Sequence, residues 1–245
     1  MLLSEDYSNR LKTLSGINSK IINVYILIGP PAIGKSTYIN SIGNGIDTIV
    51  INRDTIVSSV AKEYGLQYDD LFTLPPSGSQ PNETIRGYEK FGKTVVSDPK
   101  IVRWAPLSFD VIKNINFKVE DVMNNLMQKS IHSKMAKNII IDMTNMRKDH
   151  RKNLINQFKN AESGNRFKFI GVNFDISDPE ISQILMKVAH KRTQEDLKKG
   201  IKKTFTPEIF DRMIKSYEPP SQEEGFDEII NINTVESLKR FIGTN

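Results

Sequence analysis

The sequence predicts an α/β fold, a five-stranded parallel sheet covered by helices on both faces, and three observations predict it. Five short runs rich in Ile, Val or Phe recur along the 245 residues, at 21–28, 48–51, 138–141, 167–174 and 228–232. Strands buried on both faces read as continuous apolar runs rather than as alternation. The segments between them are long enough for helices, and strands alternating with helices argue a parallel sheet. The first run then leads into a Gly- and Pro-rich loop and a helical pattern, "YILIGPPAIGKSTYI", Tyr25 to Ile39.

In order, the strand at 21–28 is followed by a helix expected at 35–42, and the strand at 48–51 by one at 53–64. The region between the second and third strands is unusually long. Its middle, "LFTLPPSGSQPNETIRGYEKFGKTVVSDPKIVRWAP", holds five prolines and little periodicity. Loops of that length are as a rule functional or mobile, so residues 65–135 read as an insert of loop and helix, its last part helical at 119–135. After the strand at 138–141 come a helix at 148–161 and the strand at 167–174. Ser177-Asp178-Pro179-Glu180 then puts a cap candidate before a first-turn proline, which opens a helix at 179–199. Thr206-Pro207-Glu208 repeats that signal for a helix at 207–217. The strand at 228–232 and a helix at 235–242 follow. Residues 1–20 read either as a short amphipathic helix on the sheet or as a loose arm. No internal repeat or low-complexity tract appears, and 1–245 reads as a single domain.

Hydrophobic content of 38% and charged content of 26% are ordinary for a globular chain. Lys+Arg at 34 against Asp+Glu at 29 gives 34 − 29 = +5. That balance permits a polyanionic partner without requiring one, and a plain surface bias explains it equally well. The absence of Cys excludes disulfides and Cys-ligated zinc and fits a reducing compartment. No apolar run approaches the ~20 residues that span a bilayer. The start "MLLSEDYSNRLK" lacks the basic-then-apolar order of a signal peptide. A cytoplasmic protein without a membrane partner is expected. His132, His150 and His190 have no metal-ligand spacing, and nothing in the sequence marks an oligomeric state.

Gly29-Pro30-Pro31-Ala32-Ile33-Gly34-Lys35-Ser36, with Thr37 after it, matches G-x-x-x-x-G-K-[ST] between a strand and a helix. The spacing has a chemical reason. Backbone N–H groups of the loop and of the following helix N-terminus converge on phosphate oxygens. The two glycines allow close backbone approach, Lys35 brings its ammonium to the β/γ-phosphates, and Ser36 offers a hydroxyl to Mg²⁺. ATP and Mg²⁺ are the expected cofactors. A chance match in a glycine-containing loop is the alternative, and the strand–loop–helix context argues against it.

Two carboxylates follow strand ends. Asp54, in "IVINRDTI", comes just past the carboxyl end of the second strand, the edge that faces the ligand crevice in open α/β sheets. It could take a proton from an attacking hydroxyl, or merely cap the next helix; the residues alone support both. Asp142, in "NIIIDMTNMRKDHR", ends the third strand. There it could hold Mg²⁺ as a Walker B carboxylate does, or shape a turn with Asn145.

The Walker A motif, then "INRD", then "IIIDMTNMRKDHR", then the basic helix in "AHKRTQEDLKKGIKKTFTPE" together resemble the bacteriophage polynucleotide 5′-kinase family, within the P-loop kinases that carry a D-x-T-N motif. The resemblance spans roughly residues 21–232, with the specific matches in those four stretches. It implies a three-layer P-loop kinase fold of strand order 2-3-1-4-5. It also implies that Asp54 is the general base for the acceptor hydroxyl, with Arg53 beside it. Asp142 becomes the candidate for Mg²⁺ or Ser36 contact, with Thr144 and Asn145 organising the loop against the substrate. Arg151 matches a family position after the motif, although a solvated helix face explains it as well. Residues 190–206 correspond to the lid, with Arg192 at its first basic position. At the second, where the phage enzyme has Arg, stand Lys198, Lys199, Lys202 and Lys203, which carry charge but not a bidentate fork. A solvated basic face is the alternative. The chain also departs from the family at Val57, where the phage enzyme has an Arg on the acceptor's phosphate.

Arg86, Tyr88, Lys90, Phe91, Lys93, Arg103 and Trp104 interleave basic and aromatic residues within the insert. That mixture suits single-stranded nucleic acid or a flipped base, and equally a small lid whose own core contains Trp104 and Phe109. The leading expectation is a kinase that moves the γ-phosphoryl of ATP to a hydroxyl of DNA or RNA, foremost the 5′-hydroxyl. A hydroxymethylated base in DNA and a nucleoside or small hydroxyl compound are rival acceptors. A nucleotide-switched binding protein is the reading from another class, and Asp54 placed as a base argues against it.

Overall fold

A computed structural model describes residues 20–42, 45–66, 68–71, 87–90, 93–96, 109–198 and 207–243. The chain forms two compact units. The first is Met1–Ile51, Leu126–Val188 and Pro207–Asn245; the second is Asn52–Asn125 and Ala189–Thr206.

The first unit is built on a five-stranded sheet of β1 (Ile21–Ile28), β2 (Thr48–Asn52), β5 (Asn138–Asp142), β6 (Arg166–Phe174) and β7 (Glu228–Ile232), in the order β2-β5-β1-β6-β7. Numbered among themselves these strands run 2-3-1-4-5, as the resemblance implies. β1 pairs in parallel with β5 and with β6, and β6 with β7. The central strands are apolar in continuous runs because both faces are covered: Ile26, Leu27 and Ile28 of β1 and Ile139, Ile140 and Ile141 of β5 are fully buried.

The helices of this unit are α1 (Lys35–Ile42), α4 (Lys148–Lys159), the first part of α5 (Ile181–Lys198), α6 (Pro207–Lys215) and α7 (Val235–Gly243). The longer helices, α4 and α5, bury a stripe at helical spacing. In α5 the stripe is Ile181, Ile184, Leu185 and Val188; in α4 it is Arg151, Ile155 and Phe158. The Phe158 ring meets Phe167 edge-on at 5.1 Å and Phe169 at 6.0 Å, and burying a ring of that size contributes about 1.5–3 kcal/mol. α5 starts at Ile181 rather than at Pro179. Asp178 Oδ1 accepts from Glu180 N at 2.7 Å, and Asp178 O accepts from Ile181 N at 2.9 Å, which makes a turn before the helix.

The second unit contains α2 (Arg53–Glu63), a 3₁₀ turn at Tyr68–Leu71, a hairpin of β3 (Gly87–Lys90) and β4 (Lys93–Val96), and most of α3 (Phe109–Ile131). The hairpin pairs Tyr88 with Val95 and Lys90 with Lys93, in a stretch where the sequence suggests no strand. α3 begins ten residues before the expected 119. Its buried apolar residues come in pairs one turn apart, Ile115 with Val119 and Met127 with Ile131, and their burial carries the helix through an Asn- and Ile-rich stretch of modest propensity. Lys118 of α3 pairs with Glu63 and lies 5.8 Å from the Tyr64 ring centroid. Among the described residues no helix is long and apolar enough to cross a membrane.

Candidate functional site

The loop from Gly29 to Ser36 joins the end of β1 to α1 and is supported from beneath. Ile33 is fully buried inside it, and Phe174, at the end of β6, is 1% exposed. Gly29 is tightly enclosed, since a Cβ there would sit 3.1 Å from both Phe174 Cβ and Ile33 Cγ2, which would have to give by a few tenths of an ångström. Gly34 has space, but its φ of +110° lies where an L side chain is strained. Ala32 adopts a left-handed φ of +65°, a strained conformation of the kind found where a loop must wrap a ligand. Lys35 Nζ donates to Gly29 O at 2.7 Å and Pro30 O at 2.9 Å, so its ammonium spans the loop.

Tyr38 N donates to Gly34 O at 3.1 Å, a first helical bond that leaves the preceding N–H groups directed out of the end of α1, as a phosphate site requires. Ser36 and Thr37 are exposed there. The Tyr38 ring lies edge-on to Phe174 at 6.0 Å. Burial pushes its phenol above the ordinary range, with Tyr25 and Glu228 adding to the shift.

β5 brings Asp142 to the same sheet edge. Ile141 is in register with Ile26, so Asp142 lies level with Leu27, just before the loop. Its side chain is buried to 8% exposure. The turn that follows is bonded to β1 and to the loop. Gly29 N donates to Thr144 O at 2.9 Å. Asn145 has a φ of +45°, which Asn tolerates better than most residues. Its Nδ2 donates to Leu27 O at 2.9 Å and Ile141 O at 3.5 Å.

Arg151 is not solvated. It is fully buried, although Arg147, Asp149, His150 and Lys152 around it are exposed. Its Nε and Nη2 donate to the two carboxylate oxygens of Glu224 at 2.7 and 2.8 Å. Nη1 donates to Asn145 O and Met146 O, both at 3.0 Å. Glu224 Oε1 also accepts from Ser221 N at 2.9 Å. Glu218 N donates to Met146 O at 2.9 Å, while Glu218 Oε2 accepts from Lys148 N at 2.6 Å. The sequence reasoning missed Glu218 and Glu224 and left Arg151 open. Two signals were present: Arg151 shares the i, i+4, i+7 stripe with Ile155 and Phe158, and Ser221-x-x-Glu224 has capping-box spacing.

In the second unit, Asp54 sits in the first turn of α2. It is not the helix cap, because Asn52 Oδ1 fills that role by accepting from Thr55 N at 2.7 Å. Asp54 Oδ1 accepts from Tyr68 Oη at 3.0 Å. Arg53 Nη2 lies 3.6 Å from Glu120 Oε1. Val57 is 2% exposed, so this position faces packing rather than solvent. Arg192 is half-buried on α5, of which Lys198 is the last residue. Tyr88 lies in β3. Arg86, Phe91, Arg103, Trp104, Lys199, Lys202 and Lys203 lie outside the described residues.

The donor set fits a nucleotide phosphate with magnesium. It offers an ammonium spanning the loop, helix-end amides, the Ser36 hydroxyl and a carboxylate at the neighbouring strand end, around a backbone kept bare at Gly29.

The profile of the AAA domain family, AAA_33, matches residues 24–220. No curated protein matches this sequence. A candidate kinase from Chloroflexus aurantiacus shares the fold at a TM-score of 0.53 and 10% identity, covering 92% of this chain and 94% of that one. A fungal RNA kinase aligns at a TM-score of 0.45 and 13% identity, over 92% of this chain and 83% of that one. A gluconokinase from Sinorhizobium meliloti aligns at 0.41 and 10% identity, over 91% and 89%. The architecture is that of a P-loop kinase fold.

Proposed function

This chain belongs to the AAA domain family AAA_33, and we propose that it is a magnesium-dependent ATP kinase acting on a hydroxyl of nucleic acid, foremost the 5′-hydroxyl of DNA or RNA. The observation that carries the reading is the joining of the Walker loop to the D-x-T-N turn through Gly29 N and Thr144 O. In this reading the bond holds the loop, as phosphate cradle, beside Asp142, the carboxylate that would take the metal, at the ends of neighbouring strands, which is the equipment of a phosphoryl donor site.

In this reading Lys35 and the amides of the loop and α1 hold the β- and γ-phosphates, and Ser36 and Asp142 would hold Mg²⁺. The metal would neutralise charge on the phosphate oxygens. Asp54 accepts the proton of the acceptor hydroxyl as that oxygen bonds the γ-phosphorus, and the bond to the β–γ bridging oxygen breaks to leave ADP. Arg192 offsets charge gathered on the transferring group. The Tyr68 hydroxyl, 3.0 Å from Asp54 Oδ1, restricts the carboxylate's orientation. The acceptor class rests on the resemblance to polynucleotide 5′-kinases and on the basic and aromatic residues of the insert, Arg86, Tyr88, Arg103 and Trp104. A Cys-free chain of this kind would act in the cytoplasm.

A second reading of the acceptor is favoured by Val57. At the position where the phage enzyme grips the acceptor's phosphate with Arg, this chain has a buried apolar residue. A hydroxymethyl group on a base within DNA, or a free nucleoside, needs no such grip. Transfer from γ-labelled ATP to 5′-hydroxyl oligonucleotides, hydroxymethyluracil DNA and free nucleosides separates the acceptors. Label at the 5′ end supports the leading reading, and label on a base replaces it with the second. No transfer to any of them, with ATP hydrolysis indifferent to Asp54→Asn, rejects the kinase.

A further inference from the structure

We infer that Arg151, held by Glu224, is a positioning residue for the nucleotide site, and that the segment around Glu218 to Glu224 thereby belongs to the phosphate-binding machinery. The inference deepens the kinase reading and rests on it for the identity of the ligand. A buried guanidinium is costly to place, and it is tolerated only when paired and fully hydrogen-bonded. Here the four bonds of Arg151 are divided. Two go to Glu224, which neutralises the charge, and two go to the carbonyls of Asn145 and Met146.

Those carbonyls belong to the turn whose geometry the donor site depends on. Asn145, held left-handed, directs its amide to Leu27 O, and the preceding carbonyl, Thr144 O, receives the N–H of Gly29. A hydrogen-bonded chain therefore runs from Glu224 through Arg151 and the Asn145 turn to the first residue of the Walker loop. Met146 O is held a second time by Glu218 N, which ties the far side of the turn to the same segment. Charge neutralisation alone would need only the Glu224 pair. The two carbonyl bonds fix the turn, and they require the planar fork that Lys lacks.

Two variants separate positioning from folding. Arg151→Lys keeps the charge and loses the fork. The pair Arg151→Met with Glu224→Leu removes the buried ion pair into apolar side chains, a change that often leaves stability intact, while the turn still loses its two bonds. For both we expect the Gly29 amide to exchange with solvent about tenfold faster, as suits the loss of roughly one hydrogen bond's hold. The Mg²⁺–ATP KM should rise by about the same factor while kcat at saturating nucleotide stays within about twofold, the pattern of lost ground-state binding. A fall in melting temperature with Gly29 exchange and KM both at wild-type values would reduce the pair to a structural brace and overturn the inference. If the double variant does not fold, Arg151→Lys decides alone. If the wild-type protein binds no ATP, the kinase reading falls, and Gly29 exchange still decides whether Arg151 sets the loop.

Discussion

Replacing Gly29 by Ala tests how tightly the loop is built. The added Cβ would lie 3.1 Å from Phe174 Cβ, 3.1 Å from Ile33 Cγ2 and 3.7 Å from Phe174 Cδ2. Neither neighbour can retreat freely, since Ile33 is fully buried and Phe174 is 1% exposed. Overpacking of a closed site costs about 1–3 kcal/mol. For a chain of this size about 2 kcal/mol lowers the melting temperature by ~4–8 °C. Relief requires the loop to lift, which would loosen the bond from Gly29 N to Thr144 O and raise the Kd for Mg²⁺–ATP about tenfold, the loss of one hydrogen bond's worth of hold. Gly164→Ala is the control. Gly164 also has a positive φ, +66°, but nothing lies within 4 Å of a Cβ there. It should cost about 1 kcal/mol in backbone strain and leave nucleotide affinity alone. Thermal melts with and without Mg²⁺–ATP, together with a fluorescent-nucleotide titration, read both quantities. Wild-type melting and affinity in Gly29→Ala, or an equal loss of affinity in Gly164→Ala, would refute the reasoning.

Three further outcomes are expected. Phe158→Ala empties a site 1% exposed between Phe167 and Phe169 and should cost about 3–5 kcal/mol, read from urea midpoints; a loss below about 1 kcal/mol would contradict the packing. Tyr68→Phe removes the donor to Asp54 and should lower kcat about tenfold, one charged hydrogen bond's worth, with little change in the KM for ATP; an equal loss of ATP affinity would place Tyr68 in another role. The carboxyl of Asp178 is held below its ordinary range by the backbone N–H of Glu180, helped by Lys239. Its stabilising contribution is therefore present above the usual carboxylate pKa and lost as pH falls through the lowered value. The gap in urea midpoint between wild type and Asp178→Asn should accordingly be wide at neutral pH and close in acid; a gap constant with pH would contradict it.

The sheet was legible because its strands are buried on both faces, and such strands announce themselves as apolar runs. The observed bounds differ by a residue at Asn52, Asp142 and Arg166, where polar residues end or start a strand that the apolar count excludes. The strand order came from the resemblance, since nothing in a run of Ile and Val says which neighbour it pairs with. The Walker loop was legible because its chemistry demands fixed spacing. Arg151 was not, because "NMRKDHRK" reads as a charged, solvated turn. Only the pairing with Glu224, 73 positions away, makes burial of one of its cations tolerable. The β3–β4 hairpin was missed for a different reason. It is four residues a strand, set in a proline-rich stretch, and Gly92 between "GYEK" and "KTVV" was its one turn signal. From the residues alone Asp54 reads either as a cap or as a base; Asn52 fills the cap position of α2, which removes the first reading only.

The central claim is that the Walker loop is the donor half of a kinase whose base is Asp54. Its most direct test is transfer of the γ-phosphoryl of labelled ATP to a 5′-hydroxyl oligonucleotide in Mg²⁺, comparing the wild-type protein with Asp54→Asn. The account predicts label on the 5′ end with wild type and a fall of at least about a hundredfold in Asp54→Asn, as removal of a general base requires, while the Kd for ATP holds. Equal transfer by both proteins would contradict it.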